Sequence, residues 1–233
     1  MLTRGCYNLH TGARLECKGY RLYPRGYFED LQSPEIAVMI HGMQNDPSDA
    51  LEKFRIAKRR LRALGYRHPV VGYSYDSDVR GLLLDWRRAL RAARVIARGN
   101  GAHLARFITD YCREVPGARV RLLAHSLGSE LVLAAAGRLA RRGVRVESIH
   151  MFGASAPADS PGPRGSGPVL SRAVRGRVVN YYAPTDAVLM AAGEQPLGLV
   201  GCKGRAFRGY VQRRVRPRDH RFKSYAEVMG SYP

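Results

Sequence analysis

The sequence predicts an α/β protein with a doubly wound, mostly parallel sheet and helices on both faces. Two patterns carry that expectation. Continuous apolar runs such as Ile36-Ala37-Val38-Met39-Ile40 have the composition of strands buried on both faces. Between such runs lie stretches whose apolar residues recur at the helical period. The two patterns alternate along 233 residues, and alternation of this kind places strands parallel, joined by crossover helices. The length suits a single domain, residues 1–233, with one well-buried core.

Residues 7–23 alternate in polarity (Leu9, Leu15, Cys17, Tyr20, Leu22) around a Thr11-Gly12 turn signal, which reads as an N-terminal antiparallel hairpin. The first core strand ends at His41-Gly42. A helix then begins at Asp46-Pro47-Ser48-Asp49, where a capping side chain precedes a proline at the first helical position. Leu51, Phe54, Ala57, Leu61 and Leu64 keep its period up to Gly65. Pro69 to Tyr75 is the next strand. Leu83, Trp86, Leu90, Ala93 and Ala97 form the apolar stripe of a long helix that carries Arg87, Arg91, Arg94 and Arg98 on another face. Asn100-Gly101 is expected to break it, with a second helix running to about Cys112.

Val120 to Ala124 is a further strand, followed by a helix over residues 128–142. Val144 to Phe152 and Arg177 to Tyr182 are strands, and so is Phe207 to Val215. Residues 154–171 contain four prolines and read as a loop or short lid, too small for a large cap domain. A short helix follows Asp186, and residues 222–229 close the chain as a helix.

Composition narrows the function classes. The apolar share of 45% and charged share of 25% are those of a globular protein. No apolar run approaches the roughly 20 residues that cross a bilayer, and no secretory signal is visible, so a cytoplasmic protein is expected. Cys6, Cys17, Cys112 and Cys202 lack metal-binding spacing, so neither metal nor cofactor is expected. Reduced thiols are the plainer reading, with one disulfide open in an oxidising compartment. The net charge of +20 has two readings. One is an anionic partner, either nucleic acid or a lipid surface held through the arginine-rich helices. The other is a compositional excess spread over the whole surface. The chain carries no nucleic-acid-binding motif.

The chemistry gathers at strand ends, as doubly wound sheets require. Ala124-His125-Ser126-Leu127-Gly128 places a serine between an apolar strand and a helix, with small residues two before and two after it. A tight turn there exposes the hydroxyl at a helix N-terminus, where free N–H groups favour developing negative charge. Ser126 is therefore the candidate nucleophile.

Three segments together resemble the lipase and esterase branch of the α/β-hydrolase fold: Ile40-His41-Gly42-Met43, Ala124 to Gly128, and Val179-Asn180-Tyr181-Tyr182-Ala183-Pro184-Thr185-Asp186-Ala187-Val188-Leu189. The likeness covers most of residues 36–229. It implies an oxyanion hole from the backbone N–H groups of Met43 and Leu127. It also implies an acid after a later strand and a histidine base near the C-terminus. Asp186 is the better match for the acid, and Asp159 is its rival. His220 is the only histidine after Asp186. His41 and His125 are expected to shape the pocket, and the remaining histidines to be structural or solvated. The activity so implied is hydrolysis of a carboxylic or lipid ester. An amide, a thioester or acyl transfer stays open with the same residues, as does a catalytically silent basic binding protein.

Overall fold

A computed structural model of the chain describes residues 1–16, 19–23, 33–79 and 86–233. Its strands are β1 (Leu2–Thr3), β2 (Glu35–Ile40), β3 (Val70–Tyr75), β4 (Arg119–His125), β5 (Ser148–Phe152), β6 (Val178–Tyr182) and β7 (Tyr210–Arg214). They pair in the order β1-β3-β2-β4-β5-β6-β7, and every pairing is parallel. From β2 the chain steps outward to β3 and then returns to β4 on the other side. The order therefore reverses between β2 and β4, the place where such sheets open a crevice beyond the strand ends.

Alternate residues of the central strands serve opposite faces. Ile36, Val38 and Ile40 join one core cluster with Leu122 and Ala124, while Ala37, Met39 and Leu123 join the other. Helices α2 (Trp86–Glu114), α3 (Gly128–Arg141) and α4 (Gly167–Ala173) cover the first face. Helix α1 (Pro47–Ala63) and the C-terminal α7 (Phe222–Glu227) cover the second. The short α5 (Ala187–Ala191) and α6 (Leu197–Val200) follow β6. Helix α1 starts as its sequence dictates: Asp46 caps it, Asp49 completes a capping box, and Pro47 takes the first turn.

The N-terminal antiparallel hairpin is corrected. The sheet is parallel throughout, and Leu2–Thr3 pairs in parallel with β3. Of the expected ladder, one isolated antiparallel bridge joins Tyr7 and Arg14; Cys17 lies outside the described residues. Beside the backbone bonds Leu15 N–H to Cys6 O and Asn8 N–H to Ala13 O, both 2.9 Å, the segment is held by Asp76, just beyond β3, whose carboxylate accepts from the N–H groups of Gly5, Cys6 and Tyr7 at 2.8, 2.7 and 3.0 Å. A charged acceptor for three backbone donors ties the segment to the end of β3.

The break at Asn100-Gly101 is also absent, because α2 runs through it. Asn100 is buried and spends its side chain on tertiary bonds: its Oδ1 accepts from Thr3 Oγ1 at 2.7 Å and from the Tyr73 hydroxyl at 3.0 Å. At Gly101 a Cβ would stand 2.7 Å from the Ala134 Cβ. The glycine is there so that α2 and α3 can cross closely. Leu83 of the predicted stripe lies outside the described residues. Trp86 is 38% exposed instead of buried in the core.

The segment expected as a lid packs down instead. Ala154, Ala156, Ala158 and Ser160 are buried, and bonds such as Ser166 N–H to the Ser160 carbonyl tie its turns together. It leads into α4. Cys6 is disulfide-bonded while Cys112 and Cys202 are free thiols, so the expectation of wholly reduced thiols is corrected. Among the described residues no helix is long and apolar enough to cross a membrane.

Burial pushes the imidazoles of His41 and His150 down to about 3, and lowers that of His125 well below its usual value. Each folded value lies below the unfolded one of about 6.5. Their neutral forms therefore stabilise the fold fully above about pH 6.5, and that stability is lost as pH falls towards 3. Neither ring nitrogen of His150 has a hydrogen-bond partner. His150→Phe is expected to remove one proton, about 1.4 kcal/mol per pH unit, from the acid-side slope of stability. Denaturant titrations between pH 6.5 and 4 measure it, and an unchanged slope would refute the assignment.

Candidate active site

The edge where β2, β4, β6 and β7 end carries the residues singled out from sequence. The β2–β4 register aligns Ile40 with Ala124, which sets Gly42 beside Ser126. At Gly42 an added Cβ would lie 2.9 Å from that of Ser126, and at Gly128 one would lie 2.7 Å from the His41 carbonyl oxygen. Two strand exits can approach this closely only without those side chains. Ser126 itself has φ of 52°, a left-handed conformation disfavoured for a residue with a Cβ. Its N–H donates to the Phe152 carbonyl at 2.9 Å, and its carbonyl accepts from the Ser129 hydroxyl at 2.7 Å. The hydroxyl is thereby held out of the strand line, ahead of α3.

His220, beyond β7, reaches it. The Ser126 hydroxyl donates to His220 Nε2 at 2.8 Å, and His220 Nδ1–H donates to Asp186 Oδ2 at 2.7 Å. Asp186 caps α5, accepting from the Leu189 N–H at 3.2 Å through Oδ1. Its Oδ2 also accepts from the Tyr225 hydroxyl at 2.7 Å. Burial alone would raise the Asp186 carboxyl, but the bonds and charge of His220, then Tyr225 and Leu189, outweigh it and hold the carboxyl below its usual range. Serine, imidazole and carboxylate thus form one relay. Asp159 is not brought to it. That side chain is exposed and borders a neighbouring recess with Ala158, Gln195 and Lys203.

Met43 and Leu127 both line the cavity above Ser126. Among the described residues their N–H groups have no acceptor within the chain. The loop that carries Met43 is braced on all sides. His41 Nδ1–H donates to the Gly42 carbonyl at 2.9 Å, His41 Nε2 accepts from the Tyr75 N–H at 3.3 Å, and Asn45 Nδ2 donates to the Met43 carbonyl at 2.6 Å. Gln44 takes φ of 55°, and its N–H donates to the Ser77 carbonyl at 2.6 Å.

Sequence reasoning missed several contributors. Tyr225 sits on the C-terminal helix with no motif around it. His125, expected near the pocket only in general terms, anchors the loop bearing the second histidine, because its Nε2–H donates to the His220 carbonyl at 2.7 Å. Arg94 and Arg98, expected on a surface face, both pair with the buried Glu130 in the first turn of α3, at 3.0 and 2.8 Å. Arg94 also binds Glu194 through two nitrogens, and both residues line the cavity. Partners this distant in sequence leave no local signal.

The cavity has a volume of about 480 Å³. Within the lid segment expected from sequence, Ser155 alone contributes to its wall.

The Tyr225 bond has a measurable consequence. Tyr225→Phe leaves the Asp186 carboxylate one donor short and is expected to cost about 1.5–3 kcal/mol of unfolding free energy, the scale of a bond to a charged group. Chemical denaturation reads it, and a change below about 0.5 kcal/mol would show the bond to be dispensable.

By sequence, no protein family and no curated protein matches the chain. By structure, it is similar to a lipase-esterase related protein from Clostridium acetobutylicum ATCC 824, at 11% identity and a TM-score of 0.47, over 84% of this chain and 91% of that one.

Proposed function

We propose that this chain is a serine hydrolase that cleaves carboxylic esters through an acyl-enzyme intermediate, on a single domain. The hydrogen-bonded relay from Ser126 through His220 to Asp186 carries the reading. His220 Nε2 takes the hydroxyl proton as Ser126 Oγ attacks the ester carbonyl. The carbonyl oxygen, gaining negative charge, is met by the N–H groups of Met43 and Leu127. His220 then returns the proton to the departing alkoxide, leaving an acyl group on Ser126. Water, activated by the same imidazole, releases the acid and restores the serine. Asp186 fixes the imidazole tautomer with Nδ1 protonated and stabilises the imidazolium during both halves.

An apolar wall formed by Trp86, Leu90, Val188 and Leu189 beside Ser126 supports an acyl group as the part of the substrate held there. A catalytically silent binding protein would have no need of a serine held in a left-handed turn against an imidazole.

A fluorophosphonate probe is expected to label the wild type and not Ser126→Ala. Turnover of p-nitrophenyl butyrate should fall in kcat by about 10⁶-fold for Ser126→Ala and His220→Ala and by about 10⁴-fold for Asp186→Asn. Asp159→Asn should behave as wild type. Full labelling and turnover in Ser126→Ala would overturn the reading, and loss in Asp159→Asn alone would transfer the acid's role.

A further inference from the structure

The cavity beside Ser126 is electrically divided. Its apolar wall comes from α2 and α5, through Trp86, Leu90, Val188 and Leu189. From the other face of the sheet, α1 supplies Lys53 and the start of α7 supplies Arg221. The remaining charged groups in the wall, Arg94 and Glu194, are bonded to each other, so they present no unspent charge. Lys53 is half-buried, and its ammonium donates to Asn45 Oδ1 with further protons to spare. Burial lowers its pKa and the Arg221 charge lowers it again, against the opposing pull of Asp49 and Asp46. Asp219 stands 4.0 Å from the exposed Arg221. None of these three carboxylates lines the cavity. Two cations therefore flank a space whose lining carboxylate, Glu194, is already bonded to Arg94, an arrangement that a bound anion would relieve.

We propose that the site takes esters whose alcohol half carries an anionic group, a phosphate or a carboxylate, while the apolar acyl chain lies against α2. The halves are assigned by His220. The departing oxygen must come within reach of its Nε2 to be protonated, and Arg221 is the next residue along the chain. The apolar wall on α2 is left for the acyl chain. This inference rests on the ester-hydrolase reading above and names the substrate class of that site.

A matched pair of butyrate esters tests it, one of 4-hydroxybenzenesulfonate and one of the neutral 4-hydroxybenzenesulfonamide, each rate corrected for the ester's own alkaline hydrolysis. The wild type is expected to favour the anionic ester by about ten-fold in kcat/KM, equivalent to ~1.4 kcal/mol. In the double variant Lys53→Met/Arg221→Met the ratio should fall close to one, and in Lys53→Glu it should fall further. The net charge of +20 would attract any anion from a distance. Arg141→Gln/Arg172→Gln, two exposed positions away from the cavity, is the control and should keep the wild-type ratio. A wild-type ratio near one overturns the proposal, as does an equal loss in the control.

Calorimetry with hexyl phosphate reads the same wall without turnover, and inorganic phosphate in parallel tells whether the alkyl chain is needed. If hexyl phosphate binds the wild type and not the double variant while neither ester is cleaved, the anion site stands and the hydrolase reading falls. If both esters are cleaved equally and hexyl phosphate does not bind, the anion site falls and the hydrolase reading stands.

Discussion

A serine at φ of 52° is strained and persists only where the backbone around it leaves no other choice. Here the choice is removed by packing. The end of β4 is pressed against the end of β2 so closely that neither Gly42 nor Gly128 has space for a methyl group. Bonds to the Phe152 carbonyl and from Ser129 pin the peptides on either side. A conformation of this kind costs on the order of 1–3 kcal/mol, and two well-packed strands recover that easily. From it follow the exposure of the hydroxyl, the direction of α3, and the opening of a cavity at the reversal of strand order.

Around that turn the charges are arranged so that few are idle. Glu130 lies in the first turn of α3, where a carboxylate suits the helix dipole, and it is 3% exposed. Two arginines from α2 neutralise it and so tie the helix after the nucleophile to its neighbour. At the opposite end of the sheet Glu35 does the same with Arg119 and Arg121 at 2.9 and 2.7 Å. Part of the arginine excess is thus internal bracing. Buried carboxylates left without these partners would be strongly destabilising.

The histidines show how environment divides one residue type among different roles. His41 and His125 are enclosed, kept neutral by burial, and act as fixed hydrogen-bonding struts beneath the cavity. His220 keeps 14% of its side chain exposed and stands between a hydroxyl and a carboxylate. A strut requires a single protonation state. In the mechanism proposed above, His220 instead takes up the hydroxyl proton and returns it.

Much of this was legible in the residues alone. Continuous apolar runs and 3.6 spacing located the core strands and helices, because a strand buried on both faces of a parallel sheet needs apolar side chains throughout and a helix packed on that sheet needs one apolar stripe. The small residues around Ser126 and the Asp46-Pro47 start of α1 were legible for the same reason, since a local backbone shape demands a local residue type. His220 stood out as the only histidine after Asp186, while chain order left Asp186 and Asp159 both open as the acid. Only the tertiary structure decided that Asp186, and not Asp159, meets the imidazole. Likewise it turned the supposed hairpin into a segment clamped by Asp76, and it made Asn100-Gly101 a helix crossing instead of a break. It also set Tyr225, His125, Lys53 and Glu130 around Ser126. Each of these rests on groups from about 30 to more than 90 residues apart meeting in space, and such contacts impose no periodicity that a single sequence can show.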